Sequence, residues 1–364
     1  MATYRSIRDF VDWPMLLLAL AISALGILQI YSATHDTIWR DAWWKQIVWI
    51  GGGLFLFWLV SLIDYHSLLS HIYWLYGGSV VLLVAVFVVG AKVFGSKRWI
   101  PLAFGFKFQV SEFVKIVLIL LVARYLAGLK RDELEWPDLL KVGGLVLLPM
   151  ALVMKQPDLG TSLTYTPILL MGIFLAGLRW QYWAVIGIAA ALILPMGWFI
   201  LKDYQRARLT TFLDPARDPQ GQGYQVIQSK IAVGAGGMWG KGVTRGTQTQ
   251  LQFLPVPHTD FIFSAFSEEH GFLAVVVVLG WYFFLLMQIV QNAQTAPDKA
   301  GMYICMGVAA LFLFHVLVNV GMVVGRMPVT GIPLPLMSAG GSHVLSVFML
   351  LGLVNNVRLR RFVN

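Results

Sequence analysis

Ten apolar runs, each about the length of a membrane crossing, follow one another along this chain of 364 residues. A helix needs about 20 apolar residues to cross the hydrocarbon core of a bilayer. The runs lie at residues 14–32, 43–62, 72–90, 110–127, 139–154, 160–177, 181–201, 262–290, 300–325 and 338–356. Only 12% of the residues are charged and the mean hydropathy is +0.73, whereas about a quarter of a soluble domain is charged. The sequence therefore predicts an all-α, polytopic integral membrane protein with about ten transmembrane helices.

The first run, Pro14 to Ser32, is expected to remain as an uncleaved span. It lacks a small-residue cleavage site, and further apolar runs follow it. The single cysteine, Cys305, predicts neither a disulfide framework nor a cysteine-based metal site. No basic and aromatic module stands outside the apolar runs, so we expect no nucleic-acid partner.

The distribution of basic residues predicts the orientation. An even number of spans places both termini on one side, and the basic residues concentrated there predict that this side is cytoplasmic. These residues are Arg5, Arg8, Arg124, Lys130, Arg131, Lys141, Arg179, Lys299, Arg358, Arg360 and Arg361. A second basic group falls on the other side: Lys92, Lys97, Arg98, Lys107, Lys115, Lys155 and Arg326. An anionic ligand outside the cytoplasm would account for this second group.

The longest connection between runs covers residues 202–261 and is polar and rich in glycine. Loops this long are usually functional or disordered. Its stretch "QVIQSKIAVGAGGMWGKG" (225–242) begins like an amphipathic helix, which predicts a folded loop lying on the membrane. We therefore expect one transmembrane domain, 1–364, with a large extracytoplasmic loop between helices 7 and 8 that carries the catalytic region at its end.

Asp260 lies in "HTDFIF" at the edge of an apolar run, where an acid is costly. Two interpretations stay open. Burial would raise its pKa and suit it to act as a general base. Alternatively, Thr259 or Asp260 caps a helix that starts there. Glu268 follows at helical spacing, so it and Glu269 either hold a cation near Asp260 or pair with a lysine of the loop.

Further polar groups occur at the predicted span ends. Glu112 and Lys115 are spaced to form an ion pair, which either makes their burial tolerable or lines a substrate path. Arg98 is suited to bind a phosphate of a substrate or of a lipid headgroup. Asp158 caps the helix that begins near Gly160, or it contributes to a site.

A Pro/Gly-rich segment precedes the last run and predicts an anion site. Free backbone N–H groups at a helix start suit an anion, although glycines there also permit close helix packing. The residues concerned are Ser338, Gly340, Gly341 and Ser342. The basic residues of the long loop add positive charge at the same face: Arg206, Arg208, Lys230, Lys241 and Arg245.

Several ordered motifs resemble the SEDS family (shape, elongation, division and sporulation) over nearly the whole chain. They are "KRWI" (97–100), "QVSEFVK" (109–115), "QPDLGTS" (156–162), "GYQVIQSKIAVGAGG" (223–237), "GTQTQLQFLP" (246–255), "HTDFIF" (258–263) and "GIPLPLMSAGGS" (331–342). The pair "QSKIA" and "GTQTQL" is similar to the elongation (RodA-type) branch rather than the division branch. Two departures from the family pattern are Val110 and Ala339.

The resemblance implies a membrane glycosyltransferase of the bacterial cytoplasmic (inner) membrane that polymerises lipid II into peptidoglycan during elongation. It implies a class B penicillin-binding protein (a transpeptidase) as partner, and membrane lipids as surroundings. It assigns the catalytic aspartate to Asp260 and places Glu112, Lys115 and Asp158 at further motif positions. We expect His258 and Thr259, beside Asp260, to contact the substrate.

The expected reaction is an inverting transfer on the extracytoplasmic side. Asp260 removes the proton of the acceptor 4-hydroxyl, and undecaprenyl pyrophosphate leaves. Arg98, Lys115 and the loop cations are expected to stabilise the leaving charge. The sequence shows no complete metal-ligand set, so it does not decide whether the reaction uses a divalent cation such as Mg²⁺ or Mn²⁺. A flippase for the lipid-linked precursor and a non-catalytic cell-wall scaffold are the alternatives.

Overall fold

The computed structural model describes residues 10–93, 96–101, 107–131, 133–200, 203–218 and 221–361. The basic residues Arg5 and Arg8, and Lys202 at the start of the long loop, lie outside the described residues. The helices are α1 (Trp13–Thr34), α2 (Ala42–Leu62), α3 (Tyr65–Ser70), α4 (Ile72–Val89), α5 (Val110–Ala127), α6 (Trp136–Lys155), α7 (Leu159–Leu163), α8 (Tyr165–Leu175), α9 (Trp180–Ile200), α10 (Asp203–Leu213), α11 (Gln222–Ala235), α12 (Thr247–Gln250), α13 (Ile262–Gln294), α14 (Lys299–Val323) and α15 (Gly341–Arg360). Three short antiparallel strands join α4 to α5: β1 (Ala91–Val93), β2 (Ser96–Pro101) and β3 (Lys107–Phe108).

The structure confirms a helical membrane protein. Within the described residues, seven helices are long and apolar enough to cross a bilayer: α1, α2, α4, α6, α13, α14 and α15. All ten predicted runs contain helix. The count of ten membrane crossings stays a prediction, as do the bounds of the long loop and the side of the membrane on which it lies. The run at 160–177 is divided at Thr164, because Pro167 has no N–H to donate to the carbonyl of residue 163. The last helix begins at Gly341 rather than at residue 338.

The last helix packs closely against α2 through small residues. A Cβ at Gly352 would lie 2.8 Å from the carbonyl oxygen of Phe57, and one at Gly53 would lie 2.6 Å from the ring of Phe348. Small residues allow such close approach where lipid supplies no hydrophobic force between helices. The glycines of α2 and α15 therefore position the start of α15, where Gly341 lies against Trp49.

The two described ends of the chain meet at one end of the bundle, which we call the Asp12 end. Asp12 is fully buried, caps α1 and accepts hydrogen bonds from Asn292 Nδ2 (2.6 Å) and Gln288 Nε2 (3.0 Å). The Asp12 N–H donates to Asn355 Oδ1 in α15 at 2.9 Å. The Asp12 carboxylate thus ties the first helix to α13, and the Asp12 N–H ties it to the last helix.

A break in α13 is closed by a strap from the long loop. Gly271 has φ 74° and ψ −176°, which interrupts the helical hydrogen bonds around it. Residues 236–242, the glycine strap, supply the missing partners. The N–H groups of Lys241 and Gly242 donate to the carbonyls of Glu268 and Glu269, and the N–H groups of Phe272 and Leu273 donate to carbonyls in the strap. Unpaired backbone groups are costly in a membrane, so the glycines of this motif have a structural purpose.

Replacing Gly271 with alanine should destabilise the protein. The new Cβ would overlap the backbone nitrogen of Gly240, and alanine would have to adopt a positive φ. We expect the free energy of unfolding to fall by at least about 1–3 kcal/mol. The measurement is the apparent melting temperature of the purified protein in detergent.

Gly280→Ala is the matched control, because it lies in the same helix and nothing stands within 4 Å of its Cβ position. We expect its melting temperature to stay at or above that of the wild type, since alanine favours helix. Equal melting temperatures for the two variants would contradict the role of the strap.

Candidate active site

Asp260 lies in an irregular turn immediately before α13. The helix begins at Ile262, its N-cap is Phe261, and no side chain caps it. The interpretation of Thr259 or Asp260 as a helix cap was therefore wrong. Asp260 is free of that role and is partly exposed as a residue, with Oδ2 3.4 Å from the position a Cβ would take on Gly331.

The turn is fixed by hydrogen bonds to its backbone carbonyls. Asn319 Nδ2 donates to the Asp260 carbonyl at 3.0 Å, and Ser338 Oγ donates to the Thr259 carbonyl at 2.7 Å. The Ala339 N–H donates to the His258 carbonyl at 2.9 Å. Three successive carbonyls thus have partners on α14 and on the segment before α15. The position of Asp260 is set by its backbone, and its side chain stays available.

The Pro/Gly-rich segment 330–340 forms a second wall of the site. Its carbonyls accept hydrogen bonds from helix side chains: Asn319 Nδ2 to Ile332 (2.9 Å) and Tyr282 OH to Pro335 (2.6 Å), while His315 Nδ1 lies 2.9 Å from the Pro333 oxygen. Prolines remove backbone donors, so this segment cannot form regular structure and depends on these donors.

Two guanidinium groups lie close enough to Asp260 for their charges to lower the pKa of its carboxyl. Arg208 on α10 donates Nη1 to the carbonyl oxygen of Thr330 at 3.4 Å, next to Gly331. Arg98 on β2 donates to the Pro157 carbonyl and places Nη1 3.6 Å from Asp158 Oδ1. Both cations contribute to the electrostatics of the Asp260 carboxyl. The site thus joins the carboxylates of Asp260 and Asp158 with two cations from different parts of the chain.

Burial shifts the protonation equilibria of the "HTD" turn. Burial raises the pKa of Asp260 above its ordinary value, while the guanidinium of Arg208, a hydrogen bond with Thr259 and the charge of Arg98 oppose the rise. Burial lowers the pKa of His258 to about 4, so that its imidazole is neutral at pH 7. A carboxylate with a raised pKa is a better proton acceptor than an ordinary aspartate.

Asp158 both caps a helix and connects the site to α5. It is the N-cap of α7 and accepts from the Thr161 N–H at 3.3 Å, as one interpretation predicted. Its Oδ2 accepts from Gln109 Nε2 at 3.0 Å, and the Gln109 N–H donates to Ser342 Oγ at 3.0 Å. Asp158, Gln109 and Ser342 therefore link the Arg98 side of the site to the start of the last helix.

Glu112 and Lys115 form the predicted ion pair within a larger buried cluster. Lys115 Nζ lies 2.8 Å from Glu112 Oε2, and the two residues are only 1% and 3% exposed. The same oxygen accepts from Ser346 Oγ at 3.1 Å and lies 2.9 Å from His343 Nδ1. A buried carboxylate needs this set of partners. The cluster braces α5 against α15.

The glutamates of α13 hold the long loop. Glu268 accepts from Lys241 Nζ at 2.9 Å, which confirms the predicted pairing with a loop lysine, and from the Gln248 N–H at 2.8 Å. Glu269 accepts from Ser32 Oγ at 2.6 Å and Gln250 Nε2 at 3.1 Å. Lys241 is therefore engaged in the fold of the loop.

The remaining predicted contacts of the substrate are spread around the site. Ser338 fixes the Asp260 turn, and Gly341 lies against Trp49, as the packing interpretation predicted. Gly340 is the N-cap of α15, and Gln46 Oε1 accepts from its N–H at 3.4 Å. Lys230 is exposed beside Gly325. Contact of these residues with substrate stays a prediction.

No metal-ligand set emerges within the described ranges. No group of three or more His, Cys, Asp or Glu side chains there is arranged to hold a metal ion. A divalent cation therefore has no such ligand set among the described residues, and the positive charge near Asp260 comes from arginine side chains.

His343 is the residue of the site that the sequence did not single out. It stands in "SAGGSHVLSV", one turn before Ser346 on the same helix face, and this i, i+3 polar pair inside an apolar helix was the available signal. Gln109 was likewise hidden in a motif noted for Glu112 and Lys115. Neither residue stands out until α5 and α15 are brought together.

Proteins of known class resemble the chain over nearly its full length. A family model covering FtsW, RodA and SpoVE, described as a cell cycle protein, matches residues 12–361. The peptidoglycan glycosyltransferase MrdB of Escherichia coli K12 is 39% identical, with 96% of this chain and 94% of that protein covered. The peptidoglycan glycosyltransferase RodA of Treponema pallidum is 34% identical, with 98% and 99% covered.

Solved structures agree with this relationship. A chain of a peptidoglycan synthase complex, described for its structural coordination of polymerization and crosslinking, matches with a TM-score of 0.84 and 37% identity, covering 97% of this chain and 99% of that one. The crystal structure of the Rod shape determining protein RodA of Thermus thermophilus matches with a TM-score of 0.71 and 30% identity, covering 96% and 97%.

Replacing Lys115 with methionine should destabilise the fold, because the Glu112 carboxylate would stay buried without its cation. Breaking a buried ion pair costs about 3–5 kcal/mol. The double variant Glu112→Gln/Lys115→Met should regain most of this loss, since it removes both charges. The apparent melting temperature of each purified protein is the measurement.

Lys155→Met serves as the control, because Lys155 is exposed at the end of α6. It should melt like the wild type. A Lys115→Met protein as stable as that control would show that the ion pair is not needed for folding.

Proposed function

The chain belongs to the FtsW/RodA/SpoVE family, and on that premise we propose that Asp260 is the general base with which it polymerises lipid II. The chain is a peptidoglycan glycosyltransferase of the elongation type, as its relatives named RodA and MrdB are. The observation that carries the role of Asp260 is a partly exposed residue anchored through its backbone, whose carboxyl is close enough to Arg208 and Arg98 for both charges to lower its pKa.

The first half of the reaction is a proton transfer. The carboxylate of Asp260 accepts the proton of the 4-hydroxyl of the acceptor sugar, and the oxygen attacks C1 of the donor from the face opposite the diphosphate. The raised pKa of Asp260 favours this transfer, because a base accepts a proton best when its pKa lies near the working pH. The configuration at C1 is inverted.

The second half is departure of the lipid diphosphate. The bond between C1 and the diphosphate oxygen breaks, and its electron pair leaves with undecaprenyl pyrophosphate. No general acid is required, because fixed cations stabilise the negative charge. Arg98 and Arg208 are the cations that face Asp260. Lys115 would reach a diphosphate only by leaving Glu112, which lies 2.8 Å away.

The location of the site on the membrane is part of the proposal. The chain is a multi-pass membrane protein, and we place Asp260 on the extracytoplasmic side of the bacterial cytoplasmic membrane and both termini in the cytoplasm. The basic residues of the Asp12 end, Arg358 and Arg360, support this orientation through the positive-inside rule.

A crosslinking partner completes the proposed assembly. A solved structure similar to this chain belongs to a peptidoglycan synthase complex that joins polymerization to crosslinking. We extend this arrangement to the present chain, with a class B penicillin-binding protein as the transpeptidase.

Replacing Asp260 with asparagine should reduce polymerisation of lipid II by at least about a hundredfold, the usual contribution of a positioned base. Asparagine keeps the shape of the side chain but accepts no proton. The measurement is the glycan formed from lipid II by the purified protein with its partner in detergent, with the melting temperature as a check of folding.

Asp36→Asn is the matched control, since Asp36 is an exposed acid paired with His35. It should polymerise lipid II at the wild-type rate. A folded Asp260→Asn protein with near-normal activity would reject the base assignment. Absence of glycan from the wild-type protein would instead favour a flippase or a scaffold.

Replacing Arg208 with glutamine should move the acidic limb of the pH–rate profile to higher pH. Activity requires ionised Asp260, so the rate falls as the pH drops through its pKa. Arg208 holds that pKa down against the effect of burial, and its loss therefore raises the pKa further. The profile of kcat/KM against pH for lipid II polymerisation measures the shift.

Arg206→Gln is the control, because Arg206 lies on the same helix and donates to the Phe199 carbonyl instead. Its acidic limb should coincide with that of the wild type. If the acidic limb moves equally in both variants, or in neither, then Arg208 does not specifically lower the pKa of Asp260.

A further inference from the structure

Trp39 lies beside the candidate base with half of its surface exposed. Its ring centroid is 5.6 Å from that of His258, and the two rings are tilted by 37°. His258 is two residues from Asp260, so their Cα atoms are at most about 7 Å apart. Trp39 itself is 50% exposed, whereas His258 is buried. One part of the indole covers the "HTD" turn, and the rest is open.

The loop that carries Trp39 is anchored to the site at both ends. Before it, the Thr244 N–H donates to Ser32 Oγ at 2.9 Å. After it, Gln46 Nε2 donates to the Ser338 carbonyl at 3.1 Å, and Ser338 in turn fixes the Asp260 turn. Within the loop, the Trp39 N–H donates to Thr37 Oγ1 at 3.1 Å. The loop of Trp39 is therefore tied to the long loop and to the segment that fixes the Asp260 turn, and the indole contacts that turn at His258.

We propose that Trp39 is a stacking platform for the sugar ring that presents its hydroxyl to Asp260. A pyranose ring shows a face of C–H groups, which packs well on the electron-rich face of an indole. Tryptophan gives this contact at a small cost in side-chain entropy because it has only two torsion angles. The identity of the ligand as a saccharide rests on the proposed function.

The position of the cations agrees with a sugar ring at Trp39 and a diphosphate elsewhere in the site. Arg98 donates to the Pro157 carbonyl and lies beside Asp158, and Arg208 donates to the Thr330 carbonyl. A diphosphate would lie towards those two cations. The aromatic wall at Trp39 and His258 is then left for the uncharged sugar ring.

A tryptophan at a membrane surface can also serve as an interfacial anchor. Trp44 provides the comparison, because it is 57% exposed and lies only five residues further along, in the first turn of α2. An anchoring role would make the two residues equivalent. A platform role assigns the effect to Trp39 alone, since Trp39 contacts the turn of Asp260.

The test compares a ligand with sugars and a ligand without them. The Kd values of lipid II and of undecaprenyl pyrophosphate are measured for the full-length protein in detergent, with Asp260→Asn as the background to suppress turnover. In that background, Trp39→Ala should weaken lipid II binding by about three- to tenfold, the size of a lost aromatic contact. Binding of undecaprenyl pyrophosphate should not change, which also shows that the variant is folded.

Two further variants complete the experiment. Trp39→Tyr should recover part of the lipid II affinity, because an aromatic face remains, and Trp44→Ala should bind both ligands like the background protein. Unchanged lipid II binding by Trp39→Ala, equal weakening of both ligands, or the same loss in Trp44→Ala would each overturn the proposal. The readout is binding, so a failure of Asp260 as the base appears separately, as glycan formed by the Asp260→Asn protein.

Discussion

Backbone carbonyls that cannot form regular structure have to be satisfied by side chains, and the candidate active site depends on this constraint. The segment before α15 contains Pro333 and Pro335, which supply no N–H groups. Tyr282 and Asn319 donate to its carbonyls from two different helices. Irregular backbone at membrane depth is tolerated where protein surrounds it in this way. The bundle thus serves as a rigid frame for a short stretch of non-helical chain.

The same arrangement explains how the position of Asp260 is fixed. Its turn is held mainly through the carbonyls of His258, Thr259 and Asp260, and its carboxyl adds only a hydrogen bond with Thr259. By contrast, the buried carboxylate of Glu112 is surrounded by Lys115, His343 and Ser346. The two acids therefore differ in their surroundings. Asp260 is partly exposed near two cations, whereas Glu112 joins two helices.

The sequence was most informative where the cause of a structure lies within a few residues. The apolar runs, the cap at Asp158 and the pair Glu112–Lys115 follow from local spacing, and the structure has all of them. The alternative interpretation of Thr259 or Asp260 as a helix cap was wrong, because the turn is fixed by Ser338 and by Asn319, which are distant in sequence. The spacing of neighbouring residues gives no information about contacts between residues that are distant in sequence.

Long-range contacts also account for the residues that the sequence did not identify. His343 becomes part of a cluster only when α15 packs on α5, and Trp39 only when the first loop meets the "HTD" turn. The three short strands before α5 bring Arg98 close to Asp158. They were not predicted, because each is too short to show the alternation of apolar and polar residues that indicates a strand.

The buried tie between Asp12 and α15 has a consequence for biosynthesis. Asp12 enters the bilayer region early, yet Asn355, which accepts from its N–H, is translated more than 300 residues later. Until the last helix arrives, the bundle lacks this partner for the start of α1, and it also lacks Ser338 and Ser342 at the opposite end. Assembly of the candidate active site therefore depends on synthesis of the final span, and a nascent chain that stops before Ser338 lacks these contacts.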